Sequence, residues 1–87
     1  MRPRVDWMQR PGDDSILEVL GESGLILSPT VIAVNIDYTA SYVRDRLAIL
    51  RENGLVERVS ENQGHYRITE RGQSYLRGKL DADDLEN

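Results

Sequence analysis

Cysteine is absent from this 87-residue chain, and only one histidine, His65, is present. The first absence removes any disulfide framework and any thiolate metal site. The second removes the multi-histidine zinc constellations, so no cofactor or metal is expected. Long apolar runs are also missing. The longest, such as Val31 to Val34, are far too short to cross a bilayer. Arg2 and Arg4 are followed by no apolar segment of the kind a secretory signal requires. These features lead to the expectation of a soluble, cytoplasmic chain with no membrane partner. Enzyme signatures are lacking as well: there is no Gly-rich phosphate loop, no metal-ligand spacing and no nucleophile–base pair. The carboxylate pairs Asp13-Asp14 and Asp83-Asp84 fall at a helix start and in a tail, where capping or solvation accounts for them. No small-molecule ligand is evident, and no enzymatic activity is expected.

A basic excess is the remaining absence. The net charge is -4, whereas nucleic-acid binders usually carry positive charge. Its distribution matters more than its sum. Asp81, Asp83, Asp84 and Glu86 crowd the last seven residues, and without them the chain is neutral. Residues 39–79 hold eight bases against five acids, while residues 1–38 hold three against six. Ten of the 11 bases are arginine, the side chain suited to bidentate contacts with phosphate and guanine, although coding bias would give the same composition.

The length allows one domain with a thin core. Residues 1–10 read as an arm whose Trp7 packs back on the domain or on a second copy. Residues 11–80 read as the domain and 81–87 as a disordered acidic tail. Within the domain, Pro11 opens a first helix that runs to Glu22, with Ile16, Leu17, Val19 and Leu20 as its apolar face. Leu25 to Leu27 is a short apolar run expected to pair with later strands. Ser28-Pro29 starts a short helix to Asn35, with Val31, Ile32 and Ala33 turned inward. Ile36-Asp37-Tyr38 breaks the pattern, and Thr39 caps a further helix to Asn53. There Val43, Leu47 and Leu50 recur at i, i+4 and i+7 as one buried stripe. Alternation over Leu55 to Val59 and Tyr66 to Ile68, around a polar loop, predicts a β-hairpin. Thr69 opens the last helix, with Tyr75, Leu76 and Leu80 as its apolar positions.

Two helices joined by a tight turn, then a hairpin and a helix, make an α+β, mainly helical class. The architecture is a winged helix-turn-helix with a three-helix core, a two- or three-stranded wing and a C-terminal helix. The second helix of such a motif enters the major groove of double-stranded DNA. Its exposed surface here would carry Thr39, Ser41, Tyr42, Arg44, Asp45 and Arg46, with Arg44 and Arg46 reading bases. Asp45 would accept from a cytosine amine or orient a neighbouring arginine. Tyr42 would stack on a sugar or pack against Tyr38. The wing would bring Arg58, Gln63, His65 and Arg67 to the phosphate backbone, with Arg67 supplying general affinity. A solvated bundle face is the plainer alternative for the second helix. A winged helix used only for protein–protein contact is the alternative for the whole chain, and the negative total charge favours it. A homodimer on a pseudo-palindromic site is expected, in contact through Trp7, Met8 and the last helix.

The stretch Tyr42-Val-Arg-Asp-Arg-Leu-Ala-Ile-Leu-Arg-Glu-Asn-Gly-Leu-Val-Glu-Arg, followed by Tyr66-Arg-Ile-Thr-Glu-Arg-Gly-Gln-Ser-Tyr-Leu, resembles the winged-helix transcriptional regulators of archaea. It is especially similar to the haloarchaeal group related to the phage phi-H repressor. Asp6-Trp7-Met8 also looks like that group's N-terminus. The resemblance implies a repressor whose helix after the turn reads the major groove, with Ser41, Tyr42, Arg44 and Arg46 at the DNA and the wing on the backbone. Asp45 departs from the polar or basic residue expected there. The acidic tail fits a salt-adapted, halophilic protein, in which counterion release adds little to affinity.

Overall fold

The structure, a computed structural model, describes residues 2–60 and 64–86. Helix α1 spans Gly12–Ser23, α2 Pro29–Ile36 and α3 Ala40–Glu52. Strands β1 (Val56–Ser60) and β2 (His65–Ile68) follow, then α4 (Glu70–Leu76) and α5 (Ala82–Glu86). Three helices start on a hydroxyl that accepts a backbone N–H of the first turn. Ser28 receives Val31, Thr39 receives Tyr42 and Thr69 receives Gly72. Helix α1 ends on Gly24 in the left-handed region (φ 65°). Helix α2 ends on Asp37 in the same region (φ 63°), which makes the sharp turn into α3.

The core is formed by Ile16, Leu17 and Leu20 of α1, Ile32 and Ala33 of α2, and Val43, Leu47 and Leu50 of α3. Leu55, Val56 and Tyr75 close it. Val31, expected to face inward, is exposed, because Ile32 and Ala33 already fill the inward side of a helix this short. The hairpin is antiparallel, with Glu57 opposite Arg67 and Arg58 opposite Tyr66. Leu27 joins it through one bridge, exchanging two backbone hydrogen bonds with Tyr66 (2.9 and 2.8 Å). The expected extra strand is thus a single paired residue, and Leu25 and Ile26 remain exposed. Gly72 lies where α4 crosses the start of the hairpin. A Cβ there would sit 2.3 Å from the Leu55 carbonyl oxygen, so the close crossing requires glycine.

At the N-terminal end Trp7 packs back on the domain, one of its two expected places, whereas the C-terminal end departs from its expected state. Val5 and Met8 of the arm are buried, and Trp7 donates its indole N–H to the Leu85 carbonyl (3.1 Å). The tail, expected to be disordered, forms α5, with Leu85 buried beside the arm. One apolar side chain facing inward anchors a segment whose composition is otherwise that of a solvated tail. No helix among the described residues is long and apolar enough to cross a membrane. The order of α1, α2, turn, α3, hairpin and α4 is that of a winged helix-turn-helix.

Candidate nucleic-acid interface

Helix α3 presents Ser41, Arg44, Asp45 and Ala48 to solvent, while Val43, Arg46, Leu47 and Leu50 are buried. None of the four exposed side chains makes a hydrogen bond or ion pair among the described residues. Of the roles expected for Asp45, orienting Arg44 is not observed among the described residues. Thr39 is spent on the cap. Tyr42 stacks on Tyr38, ring centroids 4.9 Å apart, and its hydroxyl donates to Gln9 Oε1 (3.0 Å). Of its two expected roles, packing against Tyr38 is the one observed. Burial, followed by the nearby Asp13 carboxylate, pushes its phenol up from the usual tyrosine range.

Arg46 corrects the expectation most sharply. It was placed on the DNA side of α3 but points the other way. Its Nε and Nη2 donate to the two carboxylate oxygens of Asp13 (2.8 and 2.7 Å), and Nη2 also reaches the Trp7 carbonyl (2.9 Å). Asp13, fully buried, further accepts the Gln9 N–H (2.9 Å). The hydrogen bond to Asp13 raises the Arg46 pKa above its ordinary value, so the charge is fixed. Asp14, next along α1, faces α4 and the arm. It accepts from the Tyr75 hydroxyl and from Arg2 and Arg10. The Asp13-Asp14 pair, expected to be merely capping or solvated, is therefore the polar anchor of α1.

The wing divides its two arginines. Side chains alternate across a strand, so Arg58 and Tyr66 share one face while Arg67 and Glu57 share the other. Arg67 is held by Glu57 in an exposed ion pair (2.5 Å). Arg58 lines a groove of about 460 Å³, together with Arg44 of α3, Gly64, and Ser28, Pro29 and Thr30 at the start of α2. The structure thus brings Arg44 and Arg58 together and leaves Arg67 and Arg46 outside that group. His65 is half-buried at the start of β2, opposite Ser60. Gln63 lies outside the described residues. The α2 N-terminus in this groove was not foreseen as part of the site, although Ser28-Pro29 marks it as a helix start. Its dipole adds partial positive charge to that of the two guanidinium groups.

The expected dimer contacts also change. Met8 and Tyr75 are closed inside the chain, 8% and 0% exposed, and offer no surface to a second copy.

Comparison with known proteins places these features in context. The family described as winged helix-turn-helix phage repressor matches residues 1–87. A repressor protein of Halobacterium phage phiH is 40% identical over 89 residues, covering 99% of this chain and 98% of that protein. The crystal structure of the PhiH1 repressor-like protein from Haloarcula marismortui superposes with a TM-score of 0.81 at 34% identity. That match covers 94% of this chain and 91% of the other.

Proposed function

This chain belongs to the winged helix-turn-helix phage repressor family, and from that premise we propose that it represses transcription by binding double-stranded DNA, with α3 in the major groove and the wing against the backbone. One observation carries the reading: Arg44 on α3 and Arg58 on β1 open on the same groove as the start of α2. Three elements there aim positive charge at one place in a chain whose net charge is -4. Arg44, on the second exposed turn of α3 and held by no partner, reads a base edge. Arg58 and the α2 N-terminus take phosphates, the role first given to Arg67. Ser41 and Asp45 flank Arg44 and set which bases are tolerated.

The test is a binding titration on fragments selected by the wild-type protein. Arg44→Ala should cost about 1–3 kcal/mol and relax preference at one base pair. Arg58→Ala should weaken all sequences alike and lower the salt slope by about one. Unchanged binding by both variants would overturn the reading in favour of a protein-interaction module. A 13-residue helix reads few base pairs, so the working unit is two copies on a two-fold related site. Sedimentation of the complex should then give two protein copies per site, and a single copy would refute the pairing.

A further inference from the structure

Arg2, Arg4 and Arg10 of the arm and Arg77 after α4 line a second concavity, of about 650 Å³, that shares no residue with the Arg44–Arg58 groove. Four of the ten arginines in the chain meet here, and no acidic residue is among the lining residues. Two of the four are already engaged. Arg2 pairs with Asp14 and Glu18 (3.3 and 2.8 Å) and lies 5.9 Å from the centre of the Tyr75 ring. Arg10 pairs with Asp14 (3.1 Å). Arg4 and Arg77 are exposed and make no ion pair among the described residues. Asp14 and Glu18 together offset two of the four positive charges, so the cleft keeps a surplus of two.

Like charges gathered without counter-ions repel, and a chain with excess acid elsewhere gains nothing in solubility from grouping them. A bound anion relieves the cost. Arginine forks match phosphate oxygens in geometry, and a cleft of several hundred cubic ångströms is the size of a small-molecule site. We propose that this cleft binds the dianionic phosphate group of a small phosphate monoester, held chiefly by Arg4 and Arg77 with Arg2 and Arg10 supporting from fixed positions. The surplus of two charges suits a monoester, which carries nearly two. A nucleic-acid phosphodiester carries one per phosphate.

The experiment uses the full chain, isotope-labelled, and ribose 5-phosphate as the probe in buffered potassium chloride. Backbone amides of Arg10, Arg77 and Gly78 should shift in a saturable way in nuclear magnetic resonance spectra. Ribose alone should leave them unmoved. Arg4→Gln combined with Arg77→Gln should keep the wild-type spectrum elsewhere and bind at least about tenfold more weakly. Affinity should also fall between pH 7.5 and pH 5 as the monoester takes up its second proton near pH 6. A response that does not saturate, or one that survives the double substitution, overturns the proposal. Two further outcomes overturn it in favour of another occupant. In the first, the double variant loses affinity for a short DNA duplex while ribose 5-phosphate fails to bind. In the second, the variant loses self-association while the probe fails, which assigns the cleft to the acidic end of a second copy.

Discussion

Asp13 and Arg46 are two charges taken out of water, and the loss of hydration is offset because no fully buried side-chain polar atom among the described residues lacks a partner. Asp13 accepts three hydrogen bonds and Arg46 gives one more to the Trp7 carbonyl. Removing one partner leaves the other buried and alone. Arg46→Ala should therefore lower stability by about 3–5 kcal/mol in urea unfolding. Replacing both, as Asp13→Asn with Arg46→Met, should cost less than the two single losses added. If Arg46 contacted bases instead, the single variant would keep its stability and lose sequence preference. Tyr75 is the second buried polar group on α1's side of the core. Burial, then its hydrogen bond to Asp14, pushes its phenol well above the tyrosine range. The unfolded phenol ionises near pH 10, below the folded one. The stabilisation is therefore complete below about pH 10 and lost as the pH rises beyond it, by up to about 1.4 kcal/mol per pH unit. Tyr75→Phe should flatten that decline and, by leaving Asp14 short of a donor, cost about 1–3 kcal/mol at pH 7. Unfolding curves from pH 7 to pH 11 check both effects.

Among the elements, α5 is the least self-sufficient: five residues, three of them acidic, held by Leu85, by the Trp7 indole and by Arg71, which donates to the Asp84 carbonyl. Leu85→Asp should detach it, cost about 1.5–3 kcal/mol of apolar burial and shift the emission of Trp7, the only tryptophan, to longer wavelength. An unshifted spectrum would show that α5 does not cover the indole. The other elements were legible because their signals are local. Ser28, Thr39 and Thr69 each precede a helix they cap, and the stripe Val43, Leu47 and Leu50 is buried as its spacing requires. What stayed hidden depends on partners remote in the chain. Arg46 sits at i+3 from Val43, within the buried stripe, yet its counter-charge lies 33 residues away on α1. The spacing alone could have flagged it as facing inward; only the fold supplies Asp13. Arg67 looked available until the hairpin register set Glu57 opposite it. That register also separates Arg67 from Arg58 by turning them to opposite faces. The segment from Leu25 to Ile36 carries no charge at all, so its apolar residues overstate how much is buried. Leu25, Ile26, Val31 and Val34 remain 45–78% exposed.

At the scale of the molecule, net charge and local charge oppose each other. On the proposed reading, a chain at -4 meets a polyanion through a groove with two guanidinium groups. With one or two phosphates neutralised per copy, log K should fall against log salt with a slope of about -1 to -2 per copy. A slope steeper than about -5 per copy would mean that a further basic surface takes part. The shallow slope keeps binding usable in concentrated salt, where a strongly basic protein would lose most of its affinity. Within this arrangement α3 keeps its two duties in different residues. Its inner side anchors the helix to α1 through Arg46, and its outer side, Ser41, Arg44, Asp45 and Ala48, supports nothing in the fold. If α3 reads DNA as proposed, those four positions act as an interchangeable reading head. They can drift or be redesigned toward a new operator while the scaffold behind them stays as it is.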